Sequence, residues 1–309
     1  MLFDTPGWNI NNANIKQNKR RKRNKKQKEE EPQKEEEEEE EEVVEQQPKK
    51  KVAPVGINLQ SNSNLDGSRF RILNETLYTS TGEEALKLFQ EDEQNSTNNN
   101  NNNFQIYHRG FRSQIQQWPE NPVQVIAKDL IQNTSSPILI ADLGCGEATL
   151  AKLLAASHRH SHFSTLSYDL MADHEGWITL AECSSSIPLP GSFNDRTRNG
   201  VVDLVVCCLS LMSTDWVGMI LEARRILKQD GQLQIAEVTS RFIDIHQFIQ
   251  FITKLGFTAT SKPDESNSHF ILFKFAKSTT SLNLSDPKTK EETIQSGAKL
   301  LKPCIYKRR

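Results

Sequence analysis

Residues 137–154 read PILIADLGCGEATLAKLL. An apolar run ends at Asp142, a turn holding Gly144 and Gly146 follows, and an Ala/Leu-rich segment with helical spacing runs on to Leu154. The pattern predicts a strand, a tight glycine turn and a helix, the opening unit of a nucleotide-binding α/β domain. The glycines matter because a Cβ there would block the close approach of a ligand to the backbone.

Outward from this unit the chain alternates. Thr149–Ala156 is predicted as helix, Thr165–Asp169 as the second strand and Trp177–Glu182 as the third. Val201–Leu209 (VVDLVVCCL) is the fourth, a nearly continuous apolar run as expected of a strand buried on both faces. Trp216–Leu227 reads as a helix stopped by Lys228-Gln229-Asp230-Gly231, Gln232–Val238 as strand five, and Ile245–Leu255 as a helix closed by Gly256. Phe257–Ser261 and His269–Phe275 read as a closing hairpin. Strands alternating with helices predict a mostly parallel sheet. Upstream, Arg69–Leu77, Glu83–Gln90 and Val123–Ile131 carry helical spacing, with Thr81 or Gly82 as a cap. These helices are expected to flank or cover the nucleotide site.

The whole chain has 309 residues, five cysteines and a net charge of -2. That near-neutral charge averages opposed blocks: Lys16–Lys28 is densely basic and Glu29–Glu45 almost wholly acidic. Such blocks self-repel and bury no core, so a disordered extension is expected over residues 1–63. A helical flank with an Asn-rich insert, Asn98–Asn103, is expected over 64–136, and the α/β domain over 137–309. The basic run reads as a nuclear or nucleolar address that also grips phosphate. No run of about 18 apolar residues predicts a membrane span, and the start lacks the apolar core of a secretory signal. The cysteines show no CxxC spacing, which predicts reduced thiols and no metal site.

The turn discriminates among nucleotides. A dinucleotide site would show a third glycine and an acidic residue about 20 positions on. Here the turn is DLGCGEAT, with the acid at the end of the strand itself. This resembles motif I of the methyltransferases, which implies that Asp142 lies near a methionine amino group. Asp169, Glu182, Cys183 and Cys208 also fall at predicted carboxyl ends of parallel strands, where such folds bind ligands. Cys207 and Cys208 are read as core thiols rather than nucleophiles, since no Pro-Cys dipeptide accompanies them. After strand four the chain reads LSLMSTDW, without the D/N-P-P-aromatic signature common in methylation of exocyclic amines.

YHRGFRSQIQQWP, DLGCGEATLA, CLSLMSTDW, EARRILKQDGQLQIAEVTSRF, FITKLGF, NSHFILFKF and LLKPCIYKRR together resemble the ribosomal RNA-processing protein eight family, over about Leu65 to Arg309. The resemblance implies a Rossmann-like class I methyltransferase with a seven-stranded, mostly parallel sheet and an antiparallel C-terminal pair. It implies S-adenosyl-L-methionine as cofactor, bound by His108, Gly144, Asp169, Glu182, Cys183 and Cys208. It further implies methylation of the ring nitrogen at position 1 of an adenine in large-subunit ribosomal RNA, a role in its processing, and a place in the nucleus and nucleolus. Animal members are associated with a silencing complex on ribosomal DNA, so nucleolar silencing or chromatin proteins are possible partners. The family pattern has Asp-Met where this chain has Glu182-Cys183, so a longer carboxylate must reposition to reach an adenine amine.

Methyl transfer from a sulfonium needs no acid, and neutral adenine offers a lone pair without a strong base. The chemical step is therefore assigned to positioning, with no catalytic residue named. Asp203 and Asp215 are the candidates for stabilising a cationic product; Trp118, Trp216 and Phe242 read either as stacking groups for a flipped base or as core; Arg241, Lys262 and Lys307-Arg308-Arg309 are candidates for phosphate contacts, the last cluster reading equally as a solvated end. The alternatives are a cofactor-sensing silencing component without RNA activity, and an enzyme acting on protein or metabolite.

Overall fold

The computed structural model describes residues 61–95, 102–192, 200–279 and 286–306. The basic and acidic runs, most of the Asn-rich insert and Lys307-Arg308-Arg309 lie outside the described residues. Four helices come first: α1 (Ser61–Thr79), α2 (Gly82–Asn95), α3 (Asn103–Ile115) and α4 (Pro122–Asn133). Local chemistry starts each of the last three. Thr81 and Glu84 form a capping box, the Thr81 amide donating to Glu84 Oε2 at 2.8 Å and the Glu84 amide to Thr81 Oγ1 at 3.3 Å. Asn102 caps α3 by accepting from the Gln105 amide, so the end of the Asn-rich insert has a structural task that the sequence reading did not give it. Asn121 caps α4, with Pro122 preset for the first turn.

The α/β part runs β1 (Ile138–Leu143), α5 (Thr149–Ala155), β2 (Phe163–Asp169), β3 (Ile178–Leu180), β4 (Val202–Cys208), α6 (Trp216–Ile226), β5 (Leu227–Val238), α7 (Ile245–Lys254), β6 (Phe257–Ala259), β7 (Phe270–Lys277) and α8 (Pro287–Ala298). The sheet order is β3-β2-β1-β4-β5-β7-β6. β7 lies antiparallel to both its neighbours and the other pairings are parallel. The chain is thus a Rossmann-like α/β fold of the class I methyltransferase type. Strand order reverses between β1 and β4, which opens a crevice at the carboxyl ends of those strands.

Three expectations change. Lys228–Gly231 does not stop α6 in a free loop: β5 already pairs Leu227 with Val202, and a register shift absorbs the intervening residues before Leu204 pairs with Gln232. β3 ends at Leu180, so Glu182 and Cys183 lie in the turn after it. α8 has no counterpart in the sequence reading.

One face of the sheet packs on α6 and α7 through Val205, Ile220, Phe248 and Phe273, the other on α4 and α5 through Ile126, Ile140, Leu150 and Val206. Residues such as Ile140, Val205 and Ile220 are fully buried, and burying each side chain of this kind contributes about 1.5–3 kcal/mol. A third cluster joins α1, α2 and α3 through Phe70, Leu77, Phe89 and Phe104, and includes Met171 just beyond β2. That contact sets the helical flank over the mouth of the sheet. No helix among the described residues is long and apolar enough to cross a membrane.

Candidate functional site

The crevice is a cavity of about 570 Å³ lined by the carboxyl ends of β1, β2 and β4, the turn after β3, and α3. It brings together all six residues singled out in the sequence: His108, Gly144, Asp169, Glu182, Cys183 and Cys208. Asp142 lines it as well. A cavity of this size fits a nucleoside-scale ligand.

The glycine turn forms the floor. Gly144 and Gly146 have φ of +69° and +59°, a region open to glycine. A Cβ on Gly144 would stand 2.4 Å from Ser210 Cβ, and one on Gly146 would stand 3.2 Å from His108 Cε1. Close approach of the β4 loop therefore requires Gly144, and the His108 ring of α3 sits tightly over Gly146.

Two carboxylates flank this turn. Asp169 is fixed by the backbone: its Oδ2 accepts from the Gly146 amide and its Oδ1 from the Leu170 amide, each at 2.7 Å. Burial raises its pKa to about 6 despite those two bonds. Asp142 is buried at the edge of the cavity. Burial, with the Asp169 charge adding to it, pushes its pKa up to about 7. A buried carboxylate facing a cavity suits a cationic ligand group.

His108 reaches in from α3, its ring 4.2 Å from that of Phe104. Burial pushes its pKa down to about 4, so the imidazole is neutral at physiological pH. Arg112, one turn on, pairs with Glu147 of the glycine turn and ties α3 to it. Burial raises the Cys183 and Cys208 thiols well above neutral pH, so neither is a thiolate. Among the described residues no group of three or more His, Cys, Asp or Glu could hold a metal ion.

Glu182 is held at the cavity wall by Ser184. Its Oε1 accepts from the Ser184 amide at 2.8 Å and from Ser184 Oγ at 2.6 Å, which leaves Oε2 as the acceptor available to a ligand. A Cβ on Gly82 would lie 2.0 Å from that Oε1, so glycine at the start of α2 makes room for it. Asp215 completes the cluster, accepting from the Gly82 amide at 3.0 Å and lying 3.2 Å from Ser184 Oγ.

This chain matches the family described as "Hypothetical methyltransferase" over residues 57–309. It is 38% identical to "Ribosomal RNA-processing protein 8" of Dictyostelium discoideum, over 84% of this chain and 62% of the relative. It is 39% identical to the Arabidopsis thaliana protein of the same name, over 79% of this chain and 75% of the relative. It is 35% identical to "25S rRNA (adenine(645)-N(1))-methyltransferase" of Saccharomyces cerevisiae, over 79% and 69%. The chain belongs to this methyltransferase family. It spans less than two thirds of the length of several of these relatives, 62% of the Dictyostelium protein and 46% of the mouse one.

The structure takes Asp203, Asp215 and Arg241 away from the roles their sequence suggested and separates the aromatic candidates. Asp203 sits at the opposite end of β4, where it accepts from the Leu139 amide and pairs with Lys228. Asp215 holds α2 in place and does not line the cavity. Trp216 and Phe242 are buried in the core against Phe248. Arg241 is 2% exposed and paired with Glu237 at 2.8 Å, so it is closed to phosphate. Lys262 lies on the surface, and Trp118 lines the cavity. The contacts of Gly82, Ser184 and Asp215 escaped the sequence reading because they join residues 31 and 133 positions apart, with no local signal.

Proposed function

We propose that this chain is an S-adenosylmethionine-dependent methyltransferase that methylates N1 of an unpaired adenine in large-subunit ribosomal RNA. The observation that carries the reading is the pair of buried carboxylates, Asp142 and Asp169, flanking a glycine turn at the switch point of the sheet. Relatives named for rRNA processing and for adenine N1 methylation of rRNA support the substrate. The absence of a D/N-P-P-aromatic segment after β4 agrees with a ring nitrogen as acceptor. We place the reaction in the nucleolus, with Lys16–Lys28 serving as phosphate grip and address. Association with silencing or chromatin proteins rests on the family resemblance alone.

The chain's groups divide the work by chemistry. When bound, S-adenosylmethionine supplies an electrophilic methyl on a sulfonium. Asp142, ionised against a cation, holds the amino-acid end, and the fixed oxygens of Asp169 each keep a lone pair for a ribose hydroxyl. Glu182 Oε2 and Cys183 border the adenine end, and Cys208 borders the methyl. Neutral His108 covers the amino-acid end without adding positive charge beside a cation. With such a donor bound, an acceptor nitrogen bearing its own lone pair would need no base and the leaving sulfur no acid, so the protein contributes alignment and exclusion of water rather than proton transfer. The target nitrogen is engaged when paired, so the base must be splayed out or single-stranded.

Purified full-length protein, labelled donor and large-subunit RNA lacking the modification are expected to yield 1-methyladenine in the RNA digest. Donor binding without methyl incorporation into RNA would overturn the RNA reading.

A further inference from the structure

The cavity reaches past the residues assigned above to the loop between α3 and α4, where Trp118 lines it. Trp118 borders the same apolar cluster as Cys208, Ala236 and Phe270, which places it beside the carboxyl ends of β4 and β5. It is half-buried, and two aromatic rings pack on it. The His269 ring lies 5.5 Å from it and the Phe270 ring, stacked, 6.2 Å away. Both belong to the NSHF segment that opens β7. The loop is anchored too, by the Trp118 amide donating to the Ile115 carbonyl at 2.9 Å and by the Asn121 cap on α4. The other described tryptophans are elsewhere: Trp216 in the core, and Trp177 beside β3 with Lys152 over its ring.

We propose that Trp118 is the stacking platform for the acceptor base, held by His269 and Phe270, so that the α3–α4 loop is the acceptor half of the cavity. The inference rests on the methyltransferase reading above and adds a residue that contacts the substrate. Stacking on an indole is tolerant of base identity and gives an unpaired base a reason to leave its strand. It also distinguishes ground state from product. As the N1–C bond forms from the ring-nitrogen lone pair, the C–S bond breaks and its electron pair stays on sulfur. The positive charge passes from sulfur to the purine. A cationic purine is held more strongly over an indole than a neutral one, so the contact tightens as the methyl moves, and the benefit appears in the rate. Glu120, exposed on the same loop and lining the cavity, adds a carboxylate on the side where that charge develops.

The test uses full-length Trp118→Ala and Trp118→Phe. Affinity for S-adenosylhomocysteine is measured by calorimetry, single-turnover methylation on the RNA substrate by rate, and affinity for an oligonucleotide carrying one 1-methyladenosine by fluorescence anisotropy with S-adenosylhomocysteine present. The alanine variant is expected to keep donor affinity within about twofold while losing about ten- to a hundredfold in methylation rate and in affinity for the methylated oligonucleotide. The phenylalanine variant is expected to recover most of both. Alanine and wild-type protein with equal rates, or with equal oligonucleotide affinity, would overturn the inference. So would an alanine variant that loses donor affinity in step with rate, which would make Trp118 a framework residue. Failure of the parent reading looks different: wild-type protein itself binds no donor. If wild-type protein binds donor but leaves RNA unmethylated, the anisotropy comparison still decides the role of Trp118.

Discussion

Asp142 is a carboxylate placed where the empty protein is the worse for it. Its folded pKa is about 7, against an ordinary 3.8. Between those values the folded state keeps a proton that the unfolded chain has released, so stability falls as pH rises through this window and levels off above it. Asp142→Asn removes the cost. Thermal unfolding of the donor-free protein at pH 8 should show a higher midpoint for the variant than for wild type, with the difference shrinking towards pH 4. The same variant should bind donor at least about tenfold more weakly. Equal midpoints at pH 8 would mean that burial does not disfavour the ionised carboxylate. Gly82 offers a second test, because a Cβ there would collide with Glu182 Oε1. Gly82→Ala should weaken donor binding severalfold in calorimetry, and adding the shorter Glu182→Asp should restore it. A double variant no better than the single one would remove Glu182 from the adenine end. At this scale Asp142, Gly144 and Asp169 were legible, because the strand–turn–helix that carries them is a local pattern. Arg241 was misread, and Trp216 and Phe242 were left open between stacking and core, because residue type does not state burial.

Among the elements, the C-terminal tail is held by a buried clasp. Arg241 donates to the carbonyls of Leu211 and Lys302, pairs with Glu237 and lies over the Tyr78 ring of α1. Asn74 of α1 donates to the Cys304 carbonyl, and Tyr306 packs on Phe70. The flank over the cavity is thereby tied to the last residues of the domain. Arg241→Ala leaves the Glu237 carboxylate buried without its partner, which costs about 3–5 kcal/mol. Urea unfolding should show that loss, and a loss under about 1 kcal/mol would show that the clasp is peripheral. The segment LLKPCIY, residues 300–306, was legible as a family signature but not as a clasp, since its partners come from α1 and from the turn after β5. α8 escaped notice because PKTKEETIQSGA offers almost no apolar stripe. Its Asp286-Pro287 start, a cap followed by a first-turn proline, was the signal available. The register shift in β5 was hidden because Asp230-Gly231 reads as a turn, and only pairing with β4 makes it part of a strand.

For the whole molecule, a net charge of -2 gives no overall attraction to a polyanion, so the proposed RNA binding requires local basic clusters. The densest is Lys16–Lys28, with nine lysines and arginines. Deleting residues 1–56 should weaken RNA binding and flatten its dependence on salt, because fewer condensed counterions are released. Donor affinity should stay unchanged. An unaltered salt slope would move the phosphate contacts onto the α/β domain. The fold as a whole was legible because alternating strands and helices follow from hydropathy period alone. How the helical flank closes over the sheet was not, because that depends on the packing of Phe70, Phe104 and Met171 across distant segments. All of this requires a sulfonium nucleoside to dock in the crevice between β1 and β4. Calorimetric titration of S-adenosylhomocysteine into the full-length protein and into Asp169→Ala tests that most directly. The expected result is one site per chain in wild type, lost or weakened at least about tenfold in the variant; a folded wild-type protein that takes up no ligand, or a variant that binds as well, would contradict it.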